Sequence, residues 1–268
     1  MRSTFNDRSK GERPISRSNQ ALFPADSVIW RVHGDVTSMM AGGIAALLLQ
    51  MLHPQALAGV WDHSDVHEDM LGRLRRTARF IAVTTYGERD AAEAAIAKVK
   101  RIHEEVSGTL PDGTTYRAGN PHLLAWVHLA GALMFLEGWR RYGEPGMSRA
   151  DQDVYFAQSG EIARMLGADP VPETRASAER LIRDIRSELH ADARTLAFRD
   201  LVLDAPARTF SEAAIHKLLI SAAVDLLPTW ARKLHGLSSS PLAAPPIRAA
   251  TYGLASTLRW AFAHEAYR

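Results

Sequence analysis

Leu71-Gly72-Arg73-Leu74-Arg75-Arg76-Thr77-Ala78-Arg79-Phe80 opens, and Lys98-Val99-Lys100-Arg101-Ile102-His103 closes, a stretch that reads as two consecutive helices. In the first, from about Asp69 to Tyr86, Leu71, Leu74, Ala78, Ile81 and Thr85 recur at steps of three and four. That period marks the buried face of a helix. Arg73, Arg76, Thr77, Phe80 and Thr84 follow the same steps one stripe over, and Gly87 supplies the stop. The second helix runs from about Arg89 to Val106, with Ala92, Ala95, Val99, Ile102, His103 and Val106 facing inward. One helix thus sets cations and a hydroxyl beside its buried face, and the next places a histidine on its own.

Around this pair the chain reads as more helix. Pro24-Ala25-Asp26-Ser27 is a start pattern ahead of Val28, Ile29, Trp30 and Val32. Val36 to Leu52 is apolar nearly all round, which predicts a helix buried on most sides. Gly42-Gly43 in its middle serves either close helix packing or the close approach of a flat ligand. His53-Pro54 is read as its stop, because the residue before a proline leaves the α region. Ala56 to Asp69 is read as a connecting segment. Further helices are predicted from Asn120 to about Tyr142, from Ser148 or Asp151 to Leu166, from Val171 toward Leu189, and over 192–203, 211–226, 228–235 and 247–264. Ser238-Ser239-Ser240-Pro241 and Ala244-Pro245-Pro246 read as linkers. Leu110 to Asn120 holds a Pro-Asp-Gly turn and a short extended piece. The class is all-α. Residues 1–22 are expected to form a basic, disordered arm or surface strap, and residues 23–268 a single helical domain.

Composition narrows the chemistry. The chain has 268 residues and no cysteine, which excludes disulfides, thiolate nucleophiles and cysteine-held metals. A chain of this length buries roughly 70–75% of its unfolded surface. The net charge is +2; residues 1–20 hold five cations against two carboxylates, which is +3, and leave the rest at −1. A neutral body with a basic tail does not fit a nucleic-acid-binding domain. No apolar run is long enough for a transmembrane segment, and no secretory h-region precedes Leu22, so a cytoplasmic protein is expected. Phosphate-binding glycine loops, a nucleophile elbow and a His-Glu-x-x-His motif are all lacking. His63 and His67 have a zinc-compatible spacing without a third ligand nearby.

Two readings of His103 stand on pattern alone. It is a core histidine with one hydrogen bond, or an axial ligand, neutral and buried, for a haem iron that already has four porphyrin nitrogens. Arg73, Arg76 and Thr77 are likewise either a solvated face or groups directed at such a site, where an arginine stabilises negative charge or pairs with a propionate.

Several segments resemble the bacterial branch of the MpaB/rubber oxygenase superfamily, which includes the latex clearing proteins. They are Trp30-Arg31-Val32-His33-Gly34-Asp35, Ala41-Gly42-Gly43 through Leu47-Leu48-Leu49-Gln50-Met51-Leu52-His53-Pro54, Gly72-Arg73-Leu74-Arg75-Arg76-Thr77-Ala78, Ile102-His103 and Trp126-Val127-His128. Together they cover about residues 24–235. The resemblance implies a globin-like multi-helix bundle enclosing a haem pocket, and haem b held through one proximal histidine. It implies an oxygenase that uses dioxygen or peroxide on a small or hydrophobic organic substrate. By matching, His103 is the iron ligand, and Arg73 and Thr77 are the arginine and threonine of an Arg-x-x-Lys-Thr motif; Phe80, on the same stripe as the two arginines, is expected to contact the cofactor. Arg76 stands where the motif has lysine, so that lysine's behaviour at the iron does not carry over. Asp62, Asp65, Glu68 and Asp69 are candidates for an acidic base by location only, and His53 is read as structural. The alternatives are a non-catalytic haem sensor or carrier, and a helical interaction protein without cofactor.

Overall fold

The computed structural model describes residues 15–204, 210–238 and 242–265, and among these it holds twelve α-helices and one two-stranded hairpin. The class is all-α, as the periodicity predicts. The helices are α1 (Val28–His33), α2 (Val36–Gln50), α3 (Pro54–His63), α4 (Met70–Tyr86), α5 (Arg89–Glu105), α6 (Pro121–Tyr142), α7 (Arg149–Leu166), α8 (Arg175–Ile185), α9 (Ala193–Leu203), α10 (Phe210–Leu226), α11 (Thr229–Leu234) and α12 (Ala244–Glu265). β1 (Ser107–Thr109) and β2 (Thr115–Arg117) pair antiparallel, with Gly108 opposite Tyr116, and join α5 to α6. Part of the expected arm, residues 1–14, lies outside the described residues. From Ile15 the chain is strapped down: the Ser18 amide donates to the Tyr86 carbonyl (2.9 Å), the Arg89 amide donates to the Gln20 carbonyl (2.8 Å), and Arg17 lies over the Trp30 and Tyr86 rings.

The core is the contact between α2 and α6. Asp35 caps α2 by accepting from the Ser38 amide (2.7 Å), and Asn120 caps α6 by accepting from the amides of His122 (2.9 Å) and Leu123 (3.4 Å). The two helices run antiparallel and cross at glycines. A Cβ on Gly42 would lie 2.7 Å from the Met134 carbonyl oxygen, and one on Gly138 would lie 2.6 Å from the Ser38 carbonyl oxygen. Gly42 therefore serves backbone-to-backbone packing. Gly43 is different, because its Cβ would meet only the Phe135 ring, at 3.7 Å. At the other end of the crossing, Trp126 Nε1 donates to the Gln50 carbonyl and Gln50 Nε2 to the Val127 carbonyl, both at 3.0 Å.

Two connections differ from expectation. Residues 54–63 form α3 where a connecting segment was expected. Pro54 does stop α2, but a proline has the fixed φ and missing amide that suit a first helical turn, so the same residue starts the next helix. Pro245 and Pro246 likewise fall in the first turn of α12, which begins at Ala244, not in a linker. Ser239, Ser240 and Pro241 lie outside the described residues. α12 is clamped onto the core by Asp225, which meets Arg141 (2.7 Å) and Arg248 (2.8 Å), and by Arg259, which meets Asp35 (2.6 Å).

The α4–α5 hairpin stands one layer out. α4 packs chiefly on α5 and α1, and α5 on α4 and α7; α1 and α7 in turn meet each other and α6. Both hairpin helices are thus held beside α6 by intermediaries.

Gly42→Val should lower stability by about 1–3 kcal/mol, the usual cost of forcing bulk into a filled contact. Gly43→Ala should be neutral or stabilising by up to ~1 kcal/mol, since a helical glycine is replaced where there is room. Chemical denaturation of the two variants checks this; equal effects would remove the assigned difference between the two glycines.

Candidate functional site

α4 and α5 are antiparallel neighbours joined at Gly87-Glu88, so Arg73 near the start of α4 lies level with His103 near the end of α5. The sequence puts both on the inner half of amphipathic helices. The structure keeps both partly buried, each with an enclosed polar atom that has no hydrogen-bond partner: Nδ1 of His103 and Nε of Arg73. Arg73 reaches only the Ser64 hydroxyl, at a long 3.5 Å. Neither nitrogen of His103 makes a hydrogen bond among the described residues. Burial lowers the His103 pKa and the nearby Arg73 charge lowers it further, so the imidazole is held neutral. Burial, then the Arg76 charge, lowers the Arg73 pKa; its guanidinium nonetheless remains a cation at any ordinary pH.

The other predicted site residues are placed differently. Arg76 and Thr77 are exposed, and Arg76 pairs loosely with Asp69 (3.6 Å). Phe80 is partly buried against the core. Thr84 and Thr85 are buried where α4 meets α1. On α5 the inward face is Ala92 and Ile96; Ile102, expected inward, is 48% exposed. Ile102 lies three residues from Val99 and four from Val106, but it points about 100° away from His103, and it is His103 that faces the partly buried side.

The four candidate bases also separate. Asp62 accepts from the Tyr116 hydroxyl (3.2 Å) and from Arg194 (3.3 Å), and Asp69 caps α4 at the Gly72 amide (2.7 Å). Both are occupied with structural work, and none of the four is brought to His103 by a hydrogen bond. His63 meets Tyr116 (3.2 Å) while His67 sits edge-on to Trp61 at 4.2 Å, so the pair does not converge. Among the described residues no group of three or more His, Cys, Asp or Glu side chains could hold a metal ion. His53 immediately precedes α3 and shares the Glu188 carboxylate (3.3 Å) with His122 (3.0 Å), a structural tie between α3, α6 and the turn after α8.

Two other histidines were singled out only as parts of longer matching segments. His33, at the end of α1, meets the Thr85 hydroxyl of α4 (2.9 Å) and the Tyr155 hydroxyl of α7 (3.1 Å), and its ring lies 5.7 Å from Phe135 of α6. His128 is on α6. Both are partly buried. Burial and then the other histidine push His33 down to about 3; burial and then Arg164 push His128 down to about 4. Two clefts open elsewhere on the protein. One, of about 420 Å³, is lined by His53, Asp112, Glu188 and His190; the other, of about 720 Å³, is lined by Trp61, His67, Asp69 and Leu201. Neither cleft is lined by His103 or Arg73.

A buried base with a lowered pKa makes folding acid-sensitive. Below pH 6.5 the unfolded chain binds protons that the folded histidines refuse, so stability falls as pH falls through the window between that value and about 4 to 3. His53, His103 and His235 shift in the same direction. Urea unfolding at pH 7 and pH 4.5 should show a loss of several kcal/mol, smaller in His128→Gln. Equal stability at the two pH values would contradict the burial of these rings.

No curated protein and no solved structure matches the chain. A family model does: the catalytic domain of the ER-bound oxygenase mpaB/B'/rubber oxygenase family matches residues 30–260. That span contains α4 and α5 with the neighbouring Arg73 and His103, and also His33 and His128. The chain therefore belongs to the mpaB/rubber oxygenase catalytic-domain family.

Proposed function

We propose that the chain is a haem b-dependent oxygenase acting on a small or hydrophobic organic substrate, with His103 as the iron's protein ligand and Arg73, Arg76 and Thr77 toward the opposite side of the cofactor. The observation that carries this reading is the pair of enclosed, partnerless atoms, His103 Nδ1 and Arg73 Nε, at one end of the α4–α5 hairpin. Leaving one such group unpaired costs about 1–3 kcal/mol. Two at one place, in a family of oxygenases, fit a site built around a group that engages both. A single histidine would be enough to hold haem, because the porphyrin supplies four nitrogens of its own.

Haem, when bound, supplies the iron at which dioxygen reacts. The chain supplies everything else. His103 offers a neutral imidazole with a free lone pair, the form a metal requires. Arg73 brings a desolvated cation whose donors suit negative charge developing on oxygen, or a propionate. Phe80 keeps water from the inner side. Arg76 and Thr77, being exposed, belong to the mouth of the site, where Arg76 steers and holds an anionic cofactor edge and Thr77 offers a hydroxyl. Among the described residues no single helix is long and apolar enough to cross a membrane; α2 with α3 has the length only as a pair bent by 106°.

Reconstitution with haem b should give a Soret band, which His103→Ala should lose and Arg73→Ala should keep. Arg73→Ala should lower substrate-coupled oxygen uptake about 10²-fold, the usual cost of deleting one charge-stabilising donor. Thr77→Ala should cost less, because the side chain is exposed. No Soret band in the wild-type protein, or an unaltered spectrum in His103→Ala, overturns the reading.

A further inference from the structure

The smaller cleft, of about 420 Å³, lies between the start of α3, the turn of the β-hairpin and the segment that leads into α9. Its volume suits a small ligand. Pro54 and Leu57 of α3, with Leu110 and Pro111 of the turn, make its lining partly apolar. His53, Asp112, Glu188, His190 and Asp192 supply polar groups. Backbone bonds fix these segments. The Leu110 amide donates to the Thr114 carbonyl (2.8 Å) and the Gly113 amide to the Leu110 carbonyl (2.9 Å), which closes the turn that carries Asp112. The His190 amide donates to the Leu52 carbonyl (2.9 Å), which pins His190 beside His53. Arg194 also lines the cleft, but its guanidinium is paired with Asp62 at 3.3 Å.

The capacity left open here is acceptor capacity. His53 is 4% exposed, and its Nε2 lies 3.3 Å from the Glu188 carboxylate. An ionised carboxylate only accepts, so the neutral ring donates from Nε2 and keeps its lone pair on Nδ1. Nδ1 is buried and has no hydrogen-bond partner. Burial lowers the His53 pKa against an opposite pull from Glu188, so the ring stays neutral. Asp112 accepts from the Thr114 amide (2.9 Å), and Asp192 accepts from the Thr195 amide (2.8 Å) and hydroxyl (2.9 Å). A carboxylate has about four acceptor sites, so both can take more donors. The Thr114 amide and hydroxyl hold the Asp112 carboxyl below its usual range; at Asp192 burial works the other way, and the Thr195 amide and hydroxyl outweigh it. Both are therefore anions at neutral pH.

We propose that this cleft binds a small organic cation, a primary ammonium group on a short apolar body, with the ammonium held by Asp112 and Asp192 and the body resting on Pro54, Leu57, Leu110 and Pro111. An ammonium has three donors and no acceptor, which is what unfilled acceptors require. Two donors serve the two carboxylates, and the buried lone pair of His53 offers the third acceptor. A hydroxyl would bring an acceptor of its own and no charge, and a carboxylate would meet two anions. Neither His103 nor Arg73 lines the cleft, so the proposal stands apart from the oxygenase reading.

The test is calorimetry on the purified full chain at neutral pH with cyclohexylamine, cyclohexanol and cyclohexanecarboxylate, which share one ring and differ in charge. Wild-type protein should bind the amine about tenfold more tightly than the alcohol, and the carboxylate more weakly than either. The double variant Asp112→Asn with Asp192→Asn keeps acceptors for Thr114 and Thr195 and a good α9 cap. It should bring amine and alcohol to within about twofold of each other. Glu161→Gln, an exposed position on α7 that does not line the cleft, should leave the preference as it is. In wild type labelled with carbon-13 at the aspartate carboxyl groups, the amine should move the signals of Asp112 and Asp192, a reading that holds if the double variant does not fold. No preference for the amine, a preference that survives in the folded double variant or is lost equally in Glu161→Gln, or unmoved carboxyl signals overturns the proposal. Failure to bind haem overturns the oxygenase reading and leaves these results standing.

Discussion

α2 and α6 touch backbone to backbone at Gly42 and Gly138, and the other helices are arranged by that contact. Two helices this close leave no room for side chains between them at the crossing, so their larger residues are pushed to either side. On one side they meet α10 and α12, tied down by Asp225 and by the Asp35–Arg259 pair. On the other, α1 and α7 pack on α6 and carry the α4–α5 hairpin at a distance.

The partly buried histidines of α1, α5 and α6 and the arginine of α4 are each held in one state. Burial keeps His33, His103 and His128 neutral, and Arg73 keeps its charge because a guanidinium does not release a proton in any accessible range. A neutral imidazole beside a fixed cation is a stable electrostatic arrangement only if the cation has another partner, and the weak 3.5 Å contact to Ser64 is a poor one. That imbalance distinguishes the Arg73–His103 end from the His33 end, where Thr85 and Tyr155 satisfy both ring nitrogens.

Much of this was legible in the sequence. The 3.6-residue period, with Gly87, Asn120 and Gly167 as punctuation, placed α4, α6 and α7 within a residue or two, because caps and stops are local chemistry. The pairing of Arg73 with His103 was legible because a short turn forces neighbouring helices antiparallel. α3 was not, since a proline both ends and begins helices and the apolar content of residues 54–63 is modest. The exposure of Thr77 and Ile102 was not, since it depends on how the hairpin is rotated against α1 and α7. His33 and His128 are lone histidines far apart in sequence, and only the packing of α1 on α6 brings them near each other.

The central claim is that the protein ligand of the cofactor comes from α5. It is tested most directly by the iron–imidazole stretching band in the resonance Raman spectrum of the reduced, haem-loaded protein. The band should be present in wild type, in His33→Gln and in His128→Gln, and absent in His103→Gly. A band that persists in His103→Gly, or that disappears in His128→Gln, would place the ligand on another helix.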